Sequence, residues 1–289
     1  MRPSVRRRDL VLGAMAASLA VAPAALAADD AFRALEARSG ARLGVFAMRL
    51  GGASVAWRAD ERFRMCSTFK ALAAGAVLAK VDDGTERLDR SVRYGAHDLM
   101  DYAPVAKAHA GKGAMTVAEL CAAAVELSDN TAANLILASL GGPQGVTSFM
   151  RRLGDQTTRL DRIEPELNRG APSDPRDTTT PRSMVDLWRR LLVEDALSPK
   201  SRDQLMAWLA ACQTGADRLP LATPKGWRIG HKTGSGDDTH GDVAILTPPA
   251  GRPILIAVYF NLPKADGHDA LIAQAGRIAI GRLTDEARA

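Results

Sequence analysis

The sequence predicts an α+β fold: an antiparallel sheet built from both chain ends with flanking helices, plus an inserted all-α lobe, the site lying between them. Three observations carry this. Residues 42–50 (RLGVFAMRL) and 54–58 (SVAWR) alternate apolar and polar side chains around Gly51-Gly52, a hairpin signal. Strand character returns only near the far end, in 226–232, 241–247 and 253–261. Between them the apolar spacing is helical. Strands at both ends with a helical middle place the two termini in one sheet.

Element by element, residues 29–39 read as a short opening helix through Ala31, Phe32 and Leu35. From Ser67 a helix runs to the Asp82-Asp83-Gly84 stop signal, and further helices are expected over 117–127, 131–140, 144–153, 181–193 and 199–211. A last helix is expected at about 266–283. Segment 160–180 lacks apolar periodicity and holds Pro165, Pro172 and Pro175, so it reads as a long compact surface loop, a type that is usually functional.

The chain has 289 residues, 46% of them apolar and only 4% aromatic, enough for one large domain or two interleaved lobes with an aliphatic core. Its formal charge is +5, with four arginines against one aspartate in residues 1–27. That segment has a basic start, an uncharged apolar stretch and Ala25-Leu26-Ala27, the layout of a secretory signal peptide cleaved after Ala27. Arg7-Arg8-Asp9-Leu10-Val11 fits a twin-arginine export signal, with an ordinary Sec signal as the alternative. Residues 28–289 would be the catalytic domain: 28–63 and 212–289 an α/β lobe, 64–211 the all-α lobe. The expected location is the periplasm. The remaining sequence is nearly neutral, which removes the case for nucleic-acid binding. The leader's uncharged stretch is Ala-rich and broken by Pro23, so no stable membrane anchor is expected.

Four short motifs carry the chemistry. In Ser67-Thr68-Phe69-Lys70, residues three apart share a helix face, so Lys70 can take the Ser67 proton near a helix N-terminus that favours developing negative charge. Ser128-Asp129-Asn130 lies between two helical segments, where all three residue types also suit an ordinary N-cap. Lys232-Thr233-Gly234, then Ser235-Gly236, sits at the end of an apolar strand and offers a cation and hydroxyls beside glycines, suited to an anionic substrate. In Glu164-Pro165-Glu166-Leu167-Asn168, a carboxylate and a carboxamide could hold one water between them. Each motif alone has an ordinary structural reading.

Together, in this order and spacing, the four resemble the class A serine β-lactamase family over essentially the whole chain after residue 27. The resemblance implies a serine hydrolase that opens the β-lactam amide of penicillins and cephalosporins and confers antibiotic resistance, with no metal or organic cofactor. Ser67 would be the acylated nucleophile, Lys70 its proton partner, Ser128 the relay to the lactam nitrogen and Glu164 the base for the deacylating water, with Asn168 helping to hold that water. Whether Lys70 or Glu164 through water starts acylation stays open. Asn130 would bind the substrate's side-chain amide; Lys232, Thr233 and Ser235 would surround its carboxylate. Backbone N–H groups of Ser67 and Ser235 would form the oxyanion hole. Glu166 would be structural. Tyr102 matches the aromatic at the mouth of the site, or is a core tyrosine. Arg162 and Asp177 would close the long loop, and Glu164–Pro165 is a candidate cis peptide.

Two departures matter. After Lys-Thr-Gly the sequence reads DDTHGDV, without the arginine some members place there; Arg218 matches the alternative arginine, or is a solvated surface residue. The positions opposite Cys66 and Cys121 are Gly236 and Ala74, so three free thiols are expected, with carbapenem activity left open. The chain lacks Cys-x-x-Cys, His-Glu-x-x-His and a P-loop, and its five histidines are scattered, which disfavours a zinc lactamase or a nucleotide enzyme. The rivals are a penicillin-binding transpeptidase or carboxypeptidase, and a sensor that stays acylated; Glu164 and Asn168 argue against both. The partner is a small-molecule β-lactam, and a monomer is expected.

Overall fold

A computed structural model of the chain describes residues 1–289 except 1–22, 172, 263–266 and 286–289, and the side chains of 23–27. Most of the expected signal segment therefore lies outside the described residues. Helix α1 (Pro23–Ser39) begins before the expected Ala27–Ala28 junction and runs through it. Among the described residues no helix is long and apolar enough to cross a membrane.

After α1 come β1 (Arg42–Arg49), β2 (Ser54–Trp57), β3 (Phe63–Arg64) and α2 (Phe69–Asp82). Next are β4 (Ser91–Arg93), α3 (Pro104–Ala108), β5 (Ala114–Thr116), α4 (Val117–Glu126), α5 (Asn130–Ser139) and α6 (Pro143–Arg152). The chain continues through β6 (Thr178–Thr179), α7 (Pro181–Leu192), α8 (Pro199–Ala210) and α9 (Leu219–Ala222). It closes with β7 (Arg228–Ser235), β8 (Thr239–Thr247), β9 (Ile254–Asn261) and α10 (His268–Asp285).

The main sheet is antiparallel in the order β2-β1-β9-β8-β7, so both chain ends contribute, as expected. Its period-two alternation feeds two cores. On one face Val45, Ala47, Ile256 and Val258 pack with Phe32 and Leu35 of α1 and Ile272 and Ile280 of α10. On the other, Phe46, Leu255, Ala257 and Tyr259 join the apolar faces of α2, α4, α5 and α7. Each large aliphatic side chain so buried contributes about 1.5–3 kcal/mol.

Helix starts follow side-chain chemistry. Thr116 and Glu119 form a reciprocal capping box at α4, and Thr180 and Ser198 accept from Ser183 N and Ser201 N ahead of Pro181 and Pro199. Each such cap is worth about 1 kcal/mol. Two expectations shift. The helix expected from Ser67 opens as a 3-10 turn, Cys66–Thr68, before α2. The strand expected at 226–232 continues to Ser235, because Gly234 pairs with Gly241 and Ser235 with His240, so the Lys-Thr-Gly motif lies inside β7.

The 160–180 loop is compact and tied at both ends. Arg162 Nε lies 2.6 Å from Asp177 Oδ2, and Asp177 Oδ1 accepts from the backbone N–H groups of Asp161 and Arg162. Buried Arg64 donates to the carbonyls of Arg169 and Gly170. The loop holds the cis Glu164–Pro165 bond and a 3-10 turn, Glu166–Asn168.

Candidate active site

Ser67 sits in the 3-10 turn directly after Cys66, whose backbone has φ +46°, uncommon for a side-chain-bearing residue. The turn is pinned from below: Thr68 Oγ1 donates to Met65 O at 2.7 Å and lies 3.0 Å from the hydroxyl of buried Tyr259 on β9. No motif marks Tyr259; it reads as one apolar residue in a strand.

Ser67 Oγ donates to Glu164 Oε1 at 3.3 Å. Lys70 Nζ, fully buried, lies 3.1 Å from the same oxygen, 2.8 Å from Ser128 O, 3.4 Å from Ser128 Oγ and 2.6 Å from Asn130 Oδ1. The hydroxyl thus meets the carboxylate, and the expected Ser67–Lys70 contact is bridged by Glu164. Burial pushes the Lys70 ammonium below its ordinary value, opposed by the Glu164 charge. Asn168 Nδ2 donates to Glu164 Oε2 at 2.5 Å. Glu164 is further gripped through its backbone by Asn134, whose amide accepts from Glu164 N and donates to Glu164 O, both at 3.0 Å. Asn134 lies one helical turn after Asn130, a spacing that could have revealed it. Glu166 is exposed.

The Ser-Asp-Asn motif divides its work. Asp129 is the N-cap of α5, accepting from Ala132 N at 2.8 Å and from Val105 N and Ala106 N at 2.9 Å. Ser128, at φ +58°, and Asn130 face the cleft. The ordinary N-cap reading therefore holds for the middle residue alone. Ser128 Oγ also accepts from Lys232 Nζ at 3.0 Å, so one hydroxyl lies between two buried lysines. Lys232 is pushed down to about 7, first by burial and then by the Lys70 charge.

The strand wall carries Thr233 and Ser235. Thr233 Oγ1 is 2.6 Å from Thr214 Oγ1, a partner the sequence did not announce. Arg218 is buried, which rules out a solvated surface arginine. It donates to Ser235 Oγ at 2.8 Å, Gly234 O at 3.0 Å and Gly241 O at 2.8 Å, and its Nε lies 2.6 Å from Asp269 Oδ1. Tyr102 is 51% exposed at the mouth, not in the core, while its carbonyl accepts from Asn130 N at 3.0 Å. A Cβ at Gly236 would meet Cys66 Sγ at 2.8 Å and Asn168 O at 2.9 Å, so only glycine fits that contact unshifted.

These groups surround an open cleft of about 340 Å³. Ser67, Tyr102, Ser128, Asn130, Asn168, Arg218, Thr233 and Ser235 line it, with Lys70, Glu164 and Lys232 buried behind. Cys66, Cys121 and Cys212 are all free thiols. Among the described residues no cluster of three or more His, Cys, Asp or Glu could hold a metal ion. The arrangement offers a hydroxyl nucleophile beside a carboxylate and an amine, with Lys232 on the facing strand and Arg218 from the segment before α9 as cationic groups.

Comparison with known proteins agrees with this geometry. The profile described as the β-lactamase enzyme family matches residues 27–283. Beta-lactamase AST-1 of Nocardia asteroides is 48% identical over 262 residues, covering 89% of this chain and 84% of that protein. Beta-lactamase FAR-1 of Nocardia farcinica is 47% identical, covering 87% and 82%. Among solved structures, an ancestral (GNCA) class A β-lactamase superposes with a TM-score of 0.85 at 53% identity, covering 88% of this chain and 99% of that one. The chain belongs to the β-lactamase enzyme family and is a class A β-lactamase, a hydrolase of the β-lactam amide bond.

Proposed function

We propose that the enzyme hydrolyses penicillins and cephalosporins through an acyl-enzyme on Ser67, giving its host β-lactam resistance. The observation that carries this is the convergence of Ser67 Oγ and Lys70 Nζ on one oxygen of Glu164, at 3.3 and 3.1 Å. Ser67 attacks the lactam carbonyl while its proton passes to Glu164 or Lys70. Backbone N–H groups of Ser67 and Ser235 receive the oxyanion. Ser128, touching Lys70 and Lys232, returns a proton to the lactam nitrogen as the ring opens. A water between Glu164 and Asn168 then loses a proton to Glu164 and cleaves the ester. Lys232, Thr233, Ser235 and Arg218 hold the substrate carboxylate, Asn130 its side-chain amide, and Tyr102 flanks the ring. No cofactor enters any step.

Residues 1–27 act as an export signal cleaved after Ala27, releasing a monomeric enzyme without a membrane anchor into the periplasm. The sheet lobe is assigned to 28–63 and 212–289 and the helical lobe to 64–211. The test is to mix the protein with benzylpenicillin and follow protein mass and free penicilloate together. Sustained penicilloate release with a recovered unmodified mass supports the reading; a stoichiometric adduct without turnover overturns it and favours a transpeptidase or sensor. Intact mass of exported protein beginning at Ala28 supports the leader assignment, and retention of Met1 overturns it.

A further inference from the structure

The rim of the cleft beyond Ser235 is built from the two ends of one ion pair. Arg218 lies in the segment before α9, which is fixed to the sheet from below. Leu219 N donates to Asp242 Oδ2 at 3.1 Å, and the buried Asp242 carboxylate pairs with His231 Nδ1 of β7 at 3.1 Å. Asp269 stands in the first turn of α10, where a carboxylate suits the helix N-terminus. Its Oδ1 accepts from Arg218 Nε at 2.6 Å. Sheet and helix therefore present a cation and an anion side by side.

The two ends differ in what they leave for a ligand. A guanidinium has five N–H donors, and Arg218 commits four of them: Nε–H to Asp269, Nη1 to Gly234 O and Gly241 O, and one of Nη2 to Ser235 Oγ. A single Nη2–H remains, and the charge behind it already faces a carboxylate. Asp269 is the reverse. Its side chain is 44% exposed and lines the cleft, and among the described residues no group hydrogen-bonds its Oδ2. It is the one acidic side chain among the described residues that line the cleft, since Glu164 is buried behind them. Hydroxyls and buried Arg218 on the inside, with a half-exposed carboxylate immediately outside, are complementary to a zwitterion.

We propose that Asp269 is a specificity residue of the hydrolytic reaction, selecting β-lactams with a positively charged substituent on the ring carbon next to the one that bears the carboxylate. This rests on the carboxylate-pocket reading above. With the substrate carboxylate at Thr233, Ser235 and the free Arg218 N–H, a substituent on the adjacent carbon reaches the next position along the rim, where Asp269 Oδ2 stands. In a cephalosporin that substituent is the one at C3, and a quaternary nitrogen on a one-carbon arm there pairs with Asp269. A neutral group gains nothing, and an anionic one is repelled. Penicillins carry only methyl groups at the corresponding carbon and are indifferent. For a half-exposed pair the gain is at most about fivefold in affinity at low salt.

Cephaloridine and cephalothin share one acylamido side chain and differ at C3, where the first carries a pyridinium-methyl group and the second a neutral acetoxymethyl group. The experiment measures KM and kcat for both, with benzylpenicillin as reference, in wild type, Asp269→Asn and Asp269→Glu. Asp269→Asn keeps an oxygen for Arg218 Nε and removes only the charge. It should raise KM for cephaloridine about three- to fivefold relative to cephalothin, with little change in kcat for either, and Asp269→Glu should restore the wild-type ratio. Raising salt from about 0.05 to about 0.5 M should erase the wild-type preference and leave the ratio in Asp269→Asn unmoved. An unchanged KM ratio in Asp269→Asn would overturn the proposal. So would a parallel rise for all three substrates, which would make Asp269 a support for Arg218 alone. If wild-type enzyme forms adducts without turnover, the hydrolytic reading fails, and the same ratio is then read from the concentration dependence of adduct formation.

Discussion

The two walls of the cleft use buried lysines in opposite ways. On the helical side, Lys70 is packed against Glu164, Asn130 and Ser128, so every neighbour can pass or hold a proton. On the strand side, Lys232 touches Ser128 Oγ and its neighbour's carbonyl, and Arg218 is spread over two backbone carbonyls and Ser235. The first wall is arranged for proton traffic, the second for positive charge that Arg218 and, below about 7, Lys232 supply. Ser128 is the one side chain that reaches both. Two lysines of similar burial therefore differ by partner: carboxylate contact supports charge on Lys70, whereas Lys232 meets no carboxylate directly and depends on what lies beneath it.

Removing the helical wall's carboxylate should have the largest effect. Glu164→Gln is expected to lower turnover by roughly 10³-fold and to accumulate a one-to-one penicilloyl adduct visible by intact mass, with Glu166→Gln behaving as wild type. If Glu166→Gln trapped the adduct instead, the loop register would be wrong.

Breaking the support under the strand wall comes next. His231→Gln should cost about 3 kcal/mol of stability at pH 6, because it strands Asp242 in the core. The imidazole is raised from 6.5 to about 10, chiefly by Asp242 acting against burial, so its contribution is complete below about 6.5 and is lost as pH rises through about 10. Urea melts of both proteins across that range should converge on the alkaline side; a constant gap would show that the pair is not ionised.

Lys232→Ala should then lose about 2 kcal/mol in kcat/KM, the worth of a charge-assisted hydrogen bond. Wild-type KM should climb as pH passes above about 7 while that of Lys232→Arg stays flat. A parallel rise in both would place the titration elsewhere. Smallest, Arg218→Ala should raise KM about tenfold, or 1.4 kcal/mol, before it harms kcat. Equal losses in both constants would assign Arg218 to the chemical step.

Much of the helical wall was legible in the sequence because Ser67–Lys70 and Glu164–Asn168 are short-range spacings that are ambiguous alone and gain a meaning from their order with the other two motifs. The helices were legible too, since their caps sit beside the apolar periods they start. The strand wall was less so. His231 and Asp242 meet only through the pairing of β7 with β8, and Thr214 reaches Thr233 from a turn without periodicity. The strands β3 to β6 have two or three residues each, too few to alternate visibly. The end of β7 was misjudged because glycines and a lysine interrupt the apolar pattern while the backbone ladder continues.

The position of β9 has a consequence for how the chain is made. This strand is the last to leave the ribosome, yet it lies at the centre of the sheet, and Arg42 reaches its Asn261 across 219 residues of sequence. Until residue 261 is synthesised, β1 has only β2 for a neighbour and α2 lacks the Tyr259 floor under Ser67. The Ser67 turn is therefore among the last parts to be set, and a nascent chain stalled before β9 would hold all four motifs without an assembled site.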